Sequence, residues 1–242
     1  MILRSSSLAL ITLLTPHAWA QAVPAPPTGS DSSAPPQSAK PFSVDVSLGI
    51  VSDYRFRGMS LSNRHPAFQP SLTVTHQSGL YASVWGSTLA DNGGDDVEID
   101  LVAGYAGQTG SISYGANATY YTYPGTSGLG YVELFGTLGT TVGPAIVNAT
   151  MGYVPSQSST GDRDNVYFGI DASTPLGDTP FTLLGSFGIE DGAFASAKRD
   201  WSLGIRADIG RFSAGMAYVG TARTGGDRLG NASAVASISC AF

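Results

Sequence analysis

Asp53, Arg55 and Arg57 stand at alternate positions of one segment, and Glu98 with Asp100, Glu133, Asp171 and Arg206 stand among apolar and small residues in four others. Only 12% of the chain is charged, and charges set into such stretches are costly unless they face water or one another. Gathered round a narrow enclosed space, opposed charges set a transverse field that selects ions or orients a polar solute. The same residues also suit a structural use, in which arginines and carboxylates pair across that space and stiffen its wall. Tyr81, Trp85, Tyr121, Tyr131 and Tyr167, with Tyr123 and Phe135, are assigned to the same inner face. They carry a parallel choice: a sliding surface for a sugar or aromatic solute, or rings that fill the interior.

Catalysis has no comparable set. Beyond residue 20 the histidines are His65 and His76, and a Ser–His–acid site needs one of them as its base. His65 beside Asp91 or Asp95 is the arrangement that would make a rim enzyme. No phosphate loop, dinucleotide fingerprint or GxSxG elbow occurs, and neither catalytic residues nor a cofactor are assigned. A single cysteine, Cys240, excludes a disulfide framework and a thiolate zinc cluster. Asp91-Asn92-Gly93-Gly94-Asp95-Asp96 offers oxygen ligands for calcium but lacks the EF-hand spacing, so it reads as a solvated loop and no metal is assigned. A net charge of −6 argues against a nucleic-acid partner, which needs a basic stripe.

The elements that must position the charged residues are strands. Residues 1–20 read as a cleaved export signal: Arg4, an apolar core Leu8 to Leu14, and Ala18-Trp19-Ala20 before the expected cut at Gln21. Residues 21–41 hold six prolines and read as a mobile periplasmic spacer. From Phe42 the period is two. Phe42, Val44, Val46, Leu48, Ile50, Tyr54 and Phe56 share one face, and Asp53, Arg55 and Arg57 share the other, so the first strand is expected to run through Arg57. The same alternation recurs in later segments, giving twelve strands in all. Tyr54, Phe56, Tyr105, Trp201 and Tyr218 are expected in outer aromatic girdles. Pro70 lacks a ladder donor, so the second strand is expected to start after it or to bulge. Short links alternate with longer polar ones, whose Arg64, Arg163, Lys198, Arg199, Arg223 and Arg228 could grip lipopolysaccharide phosphates. No apolar run approaches the roughly 18 residues of a membrane helix. The predicted fold is all-β: a closed antiparallel transmembrane β-barrel over residues 42–242, with short periplasmic turns and longer extracellular loops.

Ser52-Asp53-Tyr54-Arg55-Phe56-Arg57-Gly58-Met59-Ser60, Pro66-Ala67-Phe68-Gln69, His76-Gln77-Ser78-Gly79-Leu80-Tyr81 and Val84-Trp85-Gly86-Ser87 resemble the opening of the TorF family of porins from proteobacteria. Glu98-Ile99-Asp100 with Gly104-Tyr105, and Asp200-Trp201-Ser202-Leu203-Gly204, extend the likeness. The resemblance implies an outer-membrane barrel acting as a channel and brings no site residues with it. The expected location is the bacterial outer membrane. The expected partners are its lipid and lipopolysaccharide, the barrel assembly machinery that reads an end such as Phe242, and small polar solutes diffusing through a charge-lined lumen. The competing expectations are a non-conducting structural or adhesion barrel, a rim enzyme and a soluble sandwich.

Overall fold

The computed structural model of the protein describes residues 41–90, 96–126 and 128–242. The expected export signal, all of the spacer except its last residue, and residues 91–95 of the acidic run lie outside the described residues. The strands are β1 (Phe42–Val51), β2 (Arg55–Phe56), β3 (Met59–Ser60), β4 (Ala67–His76), β5 (Leu80–Thr88), β6 (Val97–Thr109) and β7 (Ile112–Thr122). They continue with β8 (Tyr131–Val142), β9 (Ala145–Gln157), β10 (Arg163–Pro175), β11 (Phe181–Gly192), β12 (Lys198–Ile209), β13 (Phe212–Ala222) and β14 (Ser233–Ala241). All but β2 and β3 join one closed antiparallel barrel of twelve strands, sealed where β1 pairs with β14. Closure leaves no edge, which is the condition for placing a sheet in hydrocarbon. Links of 77–79, 110–111, 143–144, 176–180 and 210–211 at one end alternate with 52–66, 89–96, 123–130, 158–162, 193–197 and 223–232 at the other; the expected difference in length holds except at 158–162 and 193–197, which at five residues are no longer than 176–180 because β9 to β12 extend into segments expected as loops.

Alternation decides what each side of the wall meets. Leu101, Leu138, Phe187, Leu203 and Ile205 are exposed on the outside, whereas Glu98, Asp100, Glu133 and Arg206 are buried inside. That is the reverse of a water-soluble fold and suits a wall against lipid. Leu203, 59% exposed, sits mid-strand opposite Gly185 and Tyr218. Leu203→Arg should cost about 2–4 kcal/mol of folding free energy if that face meets the bilayer midplane. Urea unfolding from vesicles measures this, and an unchanged midpoint would remove the lipid assignment.

Pro70 is accommodated without a bulge. The ladder between β1 and β4 runs through Leu48↔Pro70 unbroken, while the ladder between β4 and β5 begins only at Ser71↔Trp85. The ring's missing N–H therefore costs pairing only on the β5 side.

The first strand is where the sequence expectation fails. β1 stops at Val51, and residues 52–66, here called L1, fold into the lumen with β2 and β3 as a hairpin. Tyr54 and Phe56 are therefore not girdle residues. Tyr54 is 2% exposed and packs on Trp85 with ring centroids 5.4 Å apart, and Phe56 meets Tyr121 edge-on at 6.0 Å. The reason is that an apolar side chain can leave water for lipid or for an apolar interior, and here Val51, Tyr54, Ala67 and Trp85, joined by Phe56, Leu61 and Leu89, form a cluster inside the barrel. Tyr105 and Tyr218 do face outward, and Trp201 packs on Tyr218 at 5.4 Å.

Candidate functional site

L1 carries its charges into the lumen on a hairpin whose own bonds fix its shape. Asp53 accepts from Arg55 Nε at 2.7 Å and from the Ser60 hydroxyl at 2.6 Å. Ser62 accepts from the Tyr54 amide at 2.9 Å. The turn places Arg57 at φ 47° and Gly58 at φ 80°. A Cβ on Gly58 would run into Thr221 and the Gly220 carbonyl, so the tip rests against β13 as closely as backbone allows.

From that tip Arg57 spans two strands of the opposite wall. Its Nη2 donates to Glu133 Oε1 on β8 at 2.5 Å and its Nη1 to Glu190 Oε1 on β11 at 2.7 Å. The guanidinium lies over the Tyr167 ring at 4.0 Å and the Phe56 ring at 4.7 Å. Tyr121 donates to Glu133 Oε2 at 3.1 Å, and Asn165 to Glu190 Oε1 at 3.0 Å. Lys198 Nζ pairs with Glu190 Oε2 at 2.5 Å and donates to the Arg57 carbonyl at 3.1 Å. Burial works against the Arg57 charge, but Glu133 and Glu190 outweigh it and hold its pKa above the ordinary value. Such an array is stable only when every charge is met by a partner and by hydrogen bonds. A second set of bonds ties L1 to residues 223–232. Arg64 donates to the Arg228 and Asn231 carbonyls, Arg228 donates to Asn63 Oδ1 at 2.5 Å, and Arg55 donates to the Asn231 carbonyl at 3.1 Å.

Of the residues that the sequence singled out, Asp53 with Arg55, and Arg57 with Glu133, are brought together. Glu98 and Asp100 are not paired with a basic side chain among the described residues. Asp171 and Arg206 lie nearer the short-link end, where Asp171 accepts from Asn148 at 2.9 Å and Arg206 Nε donates to Asp208 at 2.9 Å. Tyr81, Trp85, Tyr121 and Tyr167 are all buried inside, the last three as the bed on which L1 lies. Tyr131 stacks on Tyr121 at 4.5 Å and meets Phe194 of residues 193–197 at 5.1 Å.

Sequence reasoning placed Lys198 in an outer loop and gave Asp200 no place in the lumen. They open β12 and are 6% and 0% exposed. Both share parity with Ser202 and Arg206, and carrying the period four positions back from Ser202 would have placed them inside. Glu190 shares parity with Thr182 and Ser186 and so falls on the inner face of β11. Lys198 is therefore withdrawn from the lipopolysaccharide-facing set, because Glu190 holds it in the lumen.

Tyr54, on the L1 side, turns its hydroxyl toward Glu98 and Asp100, and burial with these carboxylates holds its phenol pKa well above the ordinary value. A crevice remains where L1 faces the wall of β12 to β14, lined by Asp53, Arg55, Gln69, Ser202, Ala217 and Val219 among others. Toward the short-link end the inner wall is largely hydroxyl-bearing: Ser47 with Ser71 at 2.8 Å, Thr73 with Ser83 at 2.9 Å and Ser186 with Ser202 at 2.6 Å.

Comparison with solved structures finds the same barrel. The chain is similar to the KdgM porin, with a TM-score of 0.58 and 7% identity over 82% of this chain and 98% of that one. It is similar to the NanC porin, with a TM-score of 0.56 and 12% identity over 83% of this chain and 99% of that one. At these identities the likeness is one of fold. No curated protein matches the chain. A family model described as a bacterial protein of unknown function, Gcw_chp, matches residues 34–240, and the chain belongs to that family.

Proposed function

We propose that the protein is an outer-membrane porin that passes small polar or charged solutes by diffusion, with L1 as its constriction and the crevice beside L1 as the path. The observation that carries this reading is the crevice itself, which lies inside a closed barrel and has the Asp53 and Arg55 charges on one side and Ala217 and Val219 on the other. Opposed charge beside a small apolar wall suits a hydrated solute that must be oriented but not held. The likeness of fold to two porins and the sequence resemblance to the TorF porins support the reading. The apolar outer wall supports a place in the outer membrane, among its lipid and lipopolysaccharide and delivered by the barrel assembly machinery.

Purified protein in planar bilayers should give discrete conductance steps, and Ala217→Trp should reduce the step size by filling the crevice. No steps from correctly folded wild-type protein would retire the porin. The close packing of L1, with Tyr54, Arg57 and Tyr121 all buried, favours a second reading, a non-conducting structural barrel. That reading predicts silence from the wild type and from variants that free L1.

A further inference from the structure

The charges of the inner wall do not balance in sign. In the half that holds L1, Asp53, Glu133 and Glu190 meet Arg55, Arg57 and Lys198 in ion pairs, three acids against three bases, so this set carries no net charge. The other charged side chains of that half to face inward, among the described residues, are Glu98, Asp100 and Asp200, all of them buried carboxylates.

In the half toward the short links, Asp45, Asp171 and Asp208 share the inner face with one base, Arg206. Asp45 has the parity of Ser47, whose hydroxyl bonds that of Ser71 inside the wall, and it lies opposite Thr73. Asp171 lies opposite Asn148 and Ser186, and Asp208 accepts from Arg206 Nε at 2.9 Å. Three carboxylates against one guanidinium leave a surplus of two negative charges among the described residues. Water reaches them: Asp45 is exposed, Asp171 half-buried and the Asp208 side chain 40% exposed, so burial does little to oppose their charge. Arg211 stands in the link 210–211, beyond the strand ends. Even with Glu98, Asp100 and Asp200 all protonated, the half that holds L1 is neutral and the other half negative; neither carries a surplus of positive charge.

We propose, resting on the porin reading above, that the lumen passes small cations in preference to anions, with Asp45, Asp171 and Asp208 setting the preference on the short-link side of L1. A narrow lumen strengthens the effect of such a surplus, because low-dielectric walls focus the field into the aqueous path, and carboxylate-lined pores favour cations. The hydroxyls of Ser47, Ser71, Ser186 and Ser202 line the same half. They exchange hydrogen bonds with a passing hydration shell without adding charge. The solutes that fit are therefore small, hydrated and positively charged.

The test is the reversal potential of the purified protein in planar bilayers under a potassium chloride gradient. The wild type should pass potassium several-fold better than chloride, and more so at low salt, where screening is weaker. Asp45→Asn with Asp171→Asn leaves one acid for one base on this side, and should lower that ratio at least two-fold while keeping the heat-modifiable gel band of a folded barrel. Asp45→Asn alone, at an exposed position where folding is not at stake, should lower it part of the way. Conductance steps with a wild-type ratio of one or below, or a ratio unchanged in the double variant, overturn the cation preference and leave the porin standing. A folded wild type without conductance steps overturns the porin reading and the preference with it.

Discussion

Arg57→Ala should widen the lumen proposed as the pore, giving single-channel conductance several-fold above that of the wild type. Its guanidinium joins L1 to Glu133 and Glu190, and without it Glu133 keeps only the Tyr121 hydroxyl among the described residues. Removing one partner of a buried pair costs about 3–5 kcal/mol, most of it from stranding the other charge. The barrel can relieve that cost without unfolding, because its ladders do not involve L1 beyond the strand ends. Release of L1 brings water to the carboxylates and widens the outer lumen. Arg57→Lys should fall between the two, since an ammonium cannot reproduce the fork that reaches two carboxylates at once. A conductance for Arg57→Ala equal to that of the wild type would mean that L1 stays in place without its clamp, and the constriction would have to be sought elsewhere.

Gly152→Val reaches the same joint without altering a charge. A Cβ at Gly152 would lie 2.5 Å from Glu133 Oε1, 2.9 Å from Arg57 Nη2 and 3.1 Å from the Phe135 ring. Flexible side-chain ends ordinarily move aside, but these two are locked to each other and, through Glu133, to Tyr121. Forcing bulk into such packing costs about 1–3 kcal/mol, which should displace Arg57 and release L1. The expected readings are a conductance raised toward that of Arg57→Ala and faster proteolysis of L1 in reconstituted vesicles. Gly136→Ala is the control, because nothing lies within 4 Å of a Cβ there. Combining Gly152→Val with Arg57→Ala should add nothing to the latter, since both act through one joint. Wild-type conductance from Gly152→Val would show that the clamp tolerates displacement.

The barrel was legible because its information is local. A strand shows its two faces every second residue, so Glu98 against Leu101 or Thr182 against Leu183 declares inside and outside from neighbours alone. The turns at 110–111 and 210–211 likewise announce themselves through Gly110 and Gly210, each with positive φ. The same parity could have placed Lys198 and Asp200, and it missed them only because the strand was begun too late.

Strand count, wall orientation and the alternation of short and long links are thus properties of the sequence itself, set by a period that needs no knowledge of distant contacts. The place where β1 ends is not, because residues 52–57 keep the same period while leaving the wall, and a dyad pattern reads alike whether its apolar side meets lipid or Trp85 and Tyr121 across a lumen. The pairing of Arg57 with Glu133 and Glu190, 76 and 133 residues away, and the convergence of Tyr54 on Glu98 and Asp100 exist only once the cylinder has closed. Closure brings distant segments within bonding range, and burial then decides which charges must find partners.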